Sequence, residues 1–280
     1  MKMGISVWAF PGDWGLRRIF QTAKEAGFEG VEVALAENGE INLSSTKEDM
    51  YSIKAVAEEV GIQLYSVASG LYWSYSFTSN QEEIRNKAKE IGKKQLEIAN
   101  YLGCDTILVV PGSVGVDFIP NCEIVEYDIA YVRALSSMIE LKRYAEKLEV
   151  SIGIENVWNK FLLSPLEFRD FIDKIDSKFV GAYFDVGNVL QTGYPEQWIK
   201  ILGDRIKKIH FKDYQRSIGT LEGFVDMLSG DVNYPAVIAQ LRKINYNDWV
   251  TAEVGIYKDY PEESIFNTAN SMKAILKAIK

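Results

Sequence analysis

The chain has one histidine, His210, and three acidic residues, Glu155, Asp185 and Glu253, that share one kind of position. Each stands at the end of a short apolar run: Ile152-Gly153-Ile154-Glu155, Ala182-Tyr183-Phe184-Asp185, Ile206–His210 and Val250-Thr251-Ala252-Glu253. Ionisable groups at the ends of otherwise buried strands are costly unless they are paired or hold a metal. Taken singly, each has a structural explanation: a core or surface histidine, a salt-bridged glutamate, a helix-capping aspartate. Taken together, three carboxylates and one imidazole form a donor set for one divalent metal ion. Oxygen-rich donors favour Mn²⁺, with Mg²⁺, Co²⁺ and Zn²⁺ as alternatives. A structural zinc site would normally recruit Cys, and Cys104 and Cys122 lie at none of these positions.

Four donors far apart in sequence need a scaffold that brings strand ends to one point. Short runs rich in Val, Ile and aromatic residues recur at Gly4–Phe10, Gly30–Leu35, Gln63–Ala68, Thr106–Val110, Ser151–Glu155, Val180–Asp185, Ile206–His210 and Trp249–Glu253. Such runs suit parallel strands covered on both faces. Amphipathic segments lie between them, among them Leu16–Ala26 and Glu82–Leu102. Gly27, Gly61, Gly103 and Asn245 stand where a helix would end in a left-handed residue. Eight strand-helix units predict an α/β fold, a (β/α)8 TIM barrel, with residues 1–280 as a single domain; an open doubly wound sheet is the alternative. In the barrel, Glu155, Asp185, His210 and Glu253 end strands five to eight in order and converge at the C-terminal mouth.

Composition narrows the function classes. With 47% hydrophobic and 25% charged residues the chain is an ordinary globular protein, and its net charge of −8 disfavours a nucleic-acid partner. The cysteines show no metal or redox spacing and read as reduced thiols. No segment approaches the ~20 apolar residues of a membrane span, and the short apolar start reads as a strand rather than a signal peptide. A cytoplasmic location is expected.

A cation at this mouth would polarise neighbouring carbonyl and hydroxyl oxygens of a sugar and stabilise the enediolate left when an adjacent C–H loses its proton. Glu155 and Glu253 lie on strands separated by two others, so they approach from different sides and can act as base and acid. Proton removal from one face and return to the other is an epimerisation.

The segments Ile154-Glu155-Asn156, Phe184-Asp185-Val186-Gly187-Asn188, Ile209-His210-Phe211-Lys212-Asp213 and Ala252-Glu253-Val254 resemble the signatures of the sugar phosphate isomerase/epimerase superfamily, the xylose isomerase-like barrels. Within it they are most similar to the L-ribulose/L-xylulose-5-phosphate 3-epimerases, then to the D-tagatose/D-psicose 3-epimerases. The resemblance implies that Glu155, Asp185, His210 and Glu253 are the metal ligands and that Glu155 and Glu253 double as the catalytic pair. It makes Arg216 a substrate-contacting arginine. It also places Asn188 where ketohexose epimerases carry a second histidine, and Phe161 where a substrate-contacting glutamate is expected. Trp8, Asn188, Lys212 and Arg216 are the substrate-binding candidates, and the partner is a small sugar or sugar phosphate.

For a phosphate, Lys212, Arg216 and Ser217-Ile218-Gly219-Thr220 are candidates, as are Gly255 and Lys258. Gly112–Asp117 lacks the ending of a P-loop. Tyr72-Trp73-Ser74-Tyr75 can wall a sugar or pack against loops, Lys207-Lys208 should place at least one lysine in solvent, and Glu32 is a candidate support for the ligands. The loop 114–124 is a candidate lid or homo-oligomer interface. Among other functions, an aldose–ketose isomerase would use the same residues. A non-catalytic sugar-binding protein ranks lower, because no member of the set is lost. An AP endonuclease or a true xylose isomerase would need more histidines.

Overall fold

Short runs of branched and aromatic residues form eight parallel strands in the computed structural model, which describes residues 1–277. They are β1 (Lys2–Ser6), β2 (Gly30–Leu35), β3 (Gln63–Ser69), β4 (Thr106–Val109), β5 (Ser151–Glu155), β6 (Val180–Asp185), β7 (Ile206–Phe211) and β10 (Trp249–Ala252). β8 (Asp213–Tyr214) and β9 (Phe224–Val225) form a small antiparallel ribbon in the loop after β7. β1 pairs with both β2 and β10, so the sheet closes on itself and the open-sheet alternative is excluded.

Seven helices return the chain from the top of one barrel strand to the bottom of the next, α1 (Leu16–Ala26), α2 (Lys47–Val60), α3 (Glu82–Leu102), α4 (Tyr127–Leu148), α5 (Pro165–Ile175), α6 (Pro195–Leu202) and α7 (Tyr234–Lys243), and α8 (Pro261–Lys277) follows the last strand. Their apolar faces cover the outside of the barrel; in α1, Ile19, Phe20 and Ala23 are buried against it. Local signals set the ends. Thr46 and Asp49 form a capping box at the start of α2, and Ser164 caps α5 ahead of Pro165. Gly103 closes α3 at φ 79°, and Asn245 takes the same left-handed role after α7 at φ 57°.

The barrel interior is stacked in layers. At the N-terminal end Lys208 is buried, with its ammonium 2.9 Å from Asp105 and 2.6 Å from Asp248. Above it, the Tyr65 hydroxyl meets Thr251 at 2.7 Å, and the Tyr183 hydroxyl donates to Glu32. Gly153 makes room for the Tyr183 ring, because a Cβ there would lie 2.8 Å from Tyr183 Cδ2. The next interior position along β7 is His210.

Two details differ from the expected pattern. The first strand stops at Ser6 rather than Phe10, because Val7–Ala9 coils into one 3-10 turn whose Trp8 N–H bonds to the Ser6 hydroxyl. Neither strand-start lysine is free in solvent: Lys208 belongs to the buried ion cluster, and half-buried Lys207 donates to the Lys178 carbonyl at 2.9 Å.

Candidate metal centre and active site

Strand register brings the four residues together. Asp185 of β6 pairs directly with His210 of β7, and Glu155 of β5 pairs with Tyr183 two residues before Asp185. Glu253 lies one residue beyond β10, but its N–H still bonds to the Phe211 carbonyl at 3.0 Å and continues the ladder. One donor atom from each of Glu155, Asp185, His210 and Glu253 lies within 4.8 Å of the others. His210 Nδ1 is 2.9 Å from Glu253 Oε2, 3.3 Å from Glu155 Oε1 and 3.8 Å from Asp185 Oδ2.

The surrounding hydrogen bonds fix which atoms face the centre. Glu32 Oε1 lies 2.9 Å from His210 Nε2, so the far side of the imidazole is held and Nδ1 is turned to the acids. Tyr183 holds the other Glu32 oxygen and packs its ring edge-on to His210, with centroids 4.7 Å apart. A carboxyl behind an imidazole fixes its tautomer and orientation, as at many metal-binding histidines. Asn156 clamps the Asp185 backbone from both sides, with its amide bonded to the Asp185 carbonyl and its oxygen to the Asp185 N–H, each at 2.9 Å. The Asn188 N–H donates to Asp185 Oδ1 at 2.7 Å, leaving Oδ2 directed at the centre.

Asp185 Oδ2 and Glu253 Oε2 are buried atoms with no well-aligned hydrogen bond. Charge, not directional bonding, meets them: the Lys212 ammonium lies 3.1 Å from the first and 2.7 Å from the second. Buried acceptors left in this state call for a cation. Three carboxylates, one oriented imidazole nitrogen and two under-satisfied oxygens therefore fit a divalent metal ion.

Electrostatics divides the two glutamates. Burial pushes Glu155 up to about 7, against the pull of His210. Burial acts on Glu253 in the same direction, but Lys212 and His210 together outweigh it and hold that carboxyl well below the usual range. Burial raises Asp185 as well, with Lys212 opposing. For His210, burial disfavours the charged ring, yet Glu32, Glu253 and the contact with Glu155 hold it well above its ordinary value.

The candidate substrate residues separate. Trp8, Asn188 and Lys212 line a cavity of about 150 Å³ together with Glu155 and Glu253. Arg216 does not line it: its backbone N–H bonds to Asp231 at 2.8 Å, its guanidinium donates to the Gly193 carbonyl at 3.0 Å, and it lies over the Tyr194 ring. Sequence reasoning missed Asn156 and Tyr183 as supports and Trp158 as a wall. Asn156 was visible as the residue after Glu155, whereas Tyr183 looked like any core aromatic. Of the aromatic loop after β3, Trp73 lines the cavity and packs edge-on to Phe118 of the loop after β4, whereas Tyr72 is buried against Phe77. Ser113 N–H and carbonyl are both taken by the Thr78 hydroxyl, so that loop is no phosphate cradle.

Comparison with known proteins places the chain by sequence and fold. The chain is 26% identical over 260 residues to an Escherichia coli K12 protein provisionally named L-ribulose-5-phosphate 3-epimerase SgbU, covering 88% of this chain and 85% of the relative. It is 24% identical over 262 residues to the L-ribulose 3-epimerase of Methylomonas sp. strain DH-1, covering 88% and 81%. The D-psicose 3-epimerase of Clostridium cellulolyticum H10, solved with D-tagatose, superposes with a TM-score of 0.82 at 17% identity over the whole of both chains. The profile of one family matches residues 20–277, and the chain belongs to that family, the xylose isomerase-like TIM barrels.

Proposed function

We propose that this protein is a divalent-metal-dependent sugar epimerase that inverts C3 of a ketose, with Glu155 and Glu253 as the acid/base pair. The observation that carries the reading is the convergence of two glutamates, from strands separated by two others, on one buried acid–imidazole cluster. Relatives along most of the chain carry 3-epimerase names, which supports the same reading. A divalent ion held by Glu155, Asp185, His210 and Glu253, Mn²⁺ by preference, would polarise the ketose carbonyl and stabilise negative charge on its oxygen.

The protein's own residues move the proton. One glutamate takes the C3 proton; the C–H electron pair becomes the C2–C3 double bond of an enediolate as the carbonyl π pair moves onto oxygen. The other glutamate returns a proton to C3 from the opposite face, restoring the carbonyl with inverted configuration. Two carboxyls that reach the same carbon from opposite sides are placed for this exchange. Glu32 and Asn156 keep His210 and Asp185 aimed, and Trp8, Trp73 and Trp158 wall the sugar from water. Asn188 and Lys212 are placed to bind sugar hydroxyls, while Arg216 would reach the substrate only by leaving Gly193. The closed barrel of residues 1–277 supports the reading of the chain as one domain, and a cytoplasmic location is part of the proposal; among the described residues no helix is long and apolar enough to cross a membrane.

The test is solvent exchange in D2O with added Mn²⁺, across ketopentoses, ketohexoses and their terminal phosphates. Deuterium at C3 with formation of the epimer is the expected result. Label at C1 or C2 with conversion to an aldose would make the protein an aldose–ketose isomerase, and no metal-dependent exchange would remove the enzymatic reading.

A further inference from the structure

Beside the 150 Å³ cavity over the acids lies a larger chamber of about 530 Å³, bounded by the loops after β4, β5, β6 and β7. The two adjoin: Phe118, Val157, Trp158, Asn188 and Leu221 line both. The smaller is below the roughly 300–1,000 Å³ typical of ligand pockets, and the larger falls well inside that range. A simple ketose at the acids would leave the chamber to water.

Its chemistry describes the missing part of the ligand. The walls are mainly apolar, from Phe161, Leu162, Val189 and Trp198, with Gln191 and Thr192 as uncharged polar groups. Phe161 and Asn188, the two positions that depart from the ketohexose-epimerase pattern, both face it. The chamber's charged lining residues are Asp117, Lys160 and Glu222, and the lysine is spent on Asp117 at 2.6 Å. A phosphate would therefore meet a net negative lining whose one cation already faces Asp117. A neutral ring with one apolar face and a few hydroxyls matches it, as a second sugar or an aryl group would.

We infer that the substrate is a neutral ketosugar carrying a glycosyl or aryl substituent, with the ketose at the Glu155–Glu253 pair and the substituent in this second chamber. The inference rests on the epimerase reading for the placement of the ketose, but its test does not need turnover. Calorimetry on the Mn²⁺-loaded protein would compare D-fructose, D-fructose 6-phosphate, and two ketose disaccharides with a neutral sugar at O6 or O4, isomaltulose and lactulose. At least one disaccharide should bind about tenfold or more tighter than D-fructose and than the phosphate. Thr192→Trp, at an exposed lining position, should collapse that preference towards one. Leu163→Arg, a lining residue 57% exposed, should instead shift preference to D-fructose 6-phosphate. Tighter binding of the phosphate by the wild type, equal binding of all four sugars, or equal weakening of all by Thr192→Trp would overturn the inference. A retained disaccharide preference without C3 exchange would keep the chamber and discard the epimerase.

Discussion

Lys208 and His210 stand two residues apart on β7, both directed into the barrel and both buried, yet their surroundings are opposite. Lys208 has a 2% exposed side chain between two acids that reach solvent, Asp105 at 64% and Asp248 at 41%. Its one ammonium is met by two carboxylates, and water takes up the excess acid charge. His210 meets Glu32, Glu155, Asp185 and Glu253, a surplus of acids that leaves two buried oxygens under-satisfied even with Lys212 alongside. One strand thus carries a finished ion cluster at the bottom and an unfinished one at the top. The unfinished cluster is where binding energy for a cation is stored, in keeping with barrel enzymes that separate stability and chemistry between their two faces.

The largest effect expected from breaking this contrast is at the top. Glu155→Gln and Glu253→Gln should each lower C3 exchange by about 10²- to 10⁴-fold, the range of a lost general acid or base. The metal-free fold should survive both, and Glu155→Gln should raise its Tm, because ionising Glu155 works against its burial. A double Gln variant with full exchange would remove the acid/base assignment. Next comes the bottom. Replacing Asp105 and Asp248 together by Asn should cost about 3 kcal/mol by denaturant titration, since it strands a buried ammonium. Lys208→Met should cost far less, because the acids it leaves are largely hydrated. Equal costs for the two would mean that the cluster is not asymmetric in the way its exposures indicate.

Protons should sharpen the same contrast. Glu155 has a folded pKa raised above its unfolded value, so its contribution to stability is present below about 4.5 and lost as pH rises through about 7. A bound cation needs the ionised carboxyl and acts in the opposite sense. The gain in Tm on adding Mn²⁺ should therefore grow between about pH 5 and about pH 8. It should be shallower in Glu155→Gln, where the remaining slope comes from the proton that His210 must lose, and a slope equal to that of the wild type would take Glu155 out of the metal's environment.

Much of this was readable from the chain, for a physical reason. A strand covered on both faces shows as an apolar run, so an ionisable residue ending it stands out; Glu155, Asp185 and His210 did so, and the register joined them. Other features depend on contacts between distant segments. The Lys207-Lys208 pair reads as a strand start with at least one solvated lysine, because the partners of Lys208 lie far off, on the chain before β4 and before β10. The Ser6 turn that lifts Trp8 to the mouth is a local bond within a stretch where Ile5, Val7, Trp8 and Phe10 favour extended chain. The second chamber is built from four loops, and loop packing leaves no periodic mark in sequence.

Glu32 is the smallest and sharpest case, because it joins the top cluster from behind. Its carboxyl contacts His210 Nε2 on one oxygen and Tyr183 on the other, and it does not touch the cavity over the acids. Its effect must therefore pass through the orientation and basicity of the imidazole. Glu32→Gln keeps the size and one acceptor but removes the charge. Supporting carboxyls of this kind typically contribute about 10- to 100-fold in metal affinity. Calorimetry should show Mn²⁺ binding weakened within that range, with exchange at saturating metal reduced much less than in Glu155→Gln. A purely packing role would lower Tm and leave the Mn²⁺ Kd and its pH profile unchanged. If Kd moved while Tm did not, the boundary between the finished and unfinished clusters would lie below Glu32, at the Tyr65–Thr251 layer.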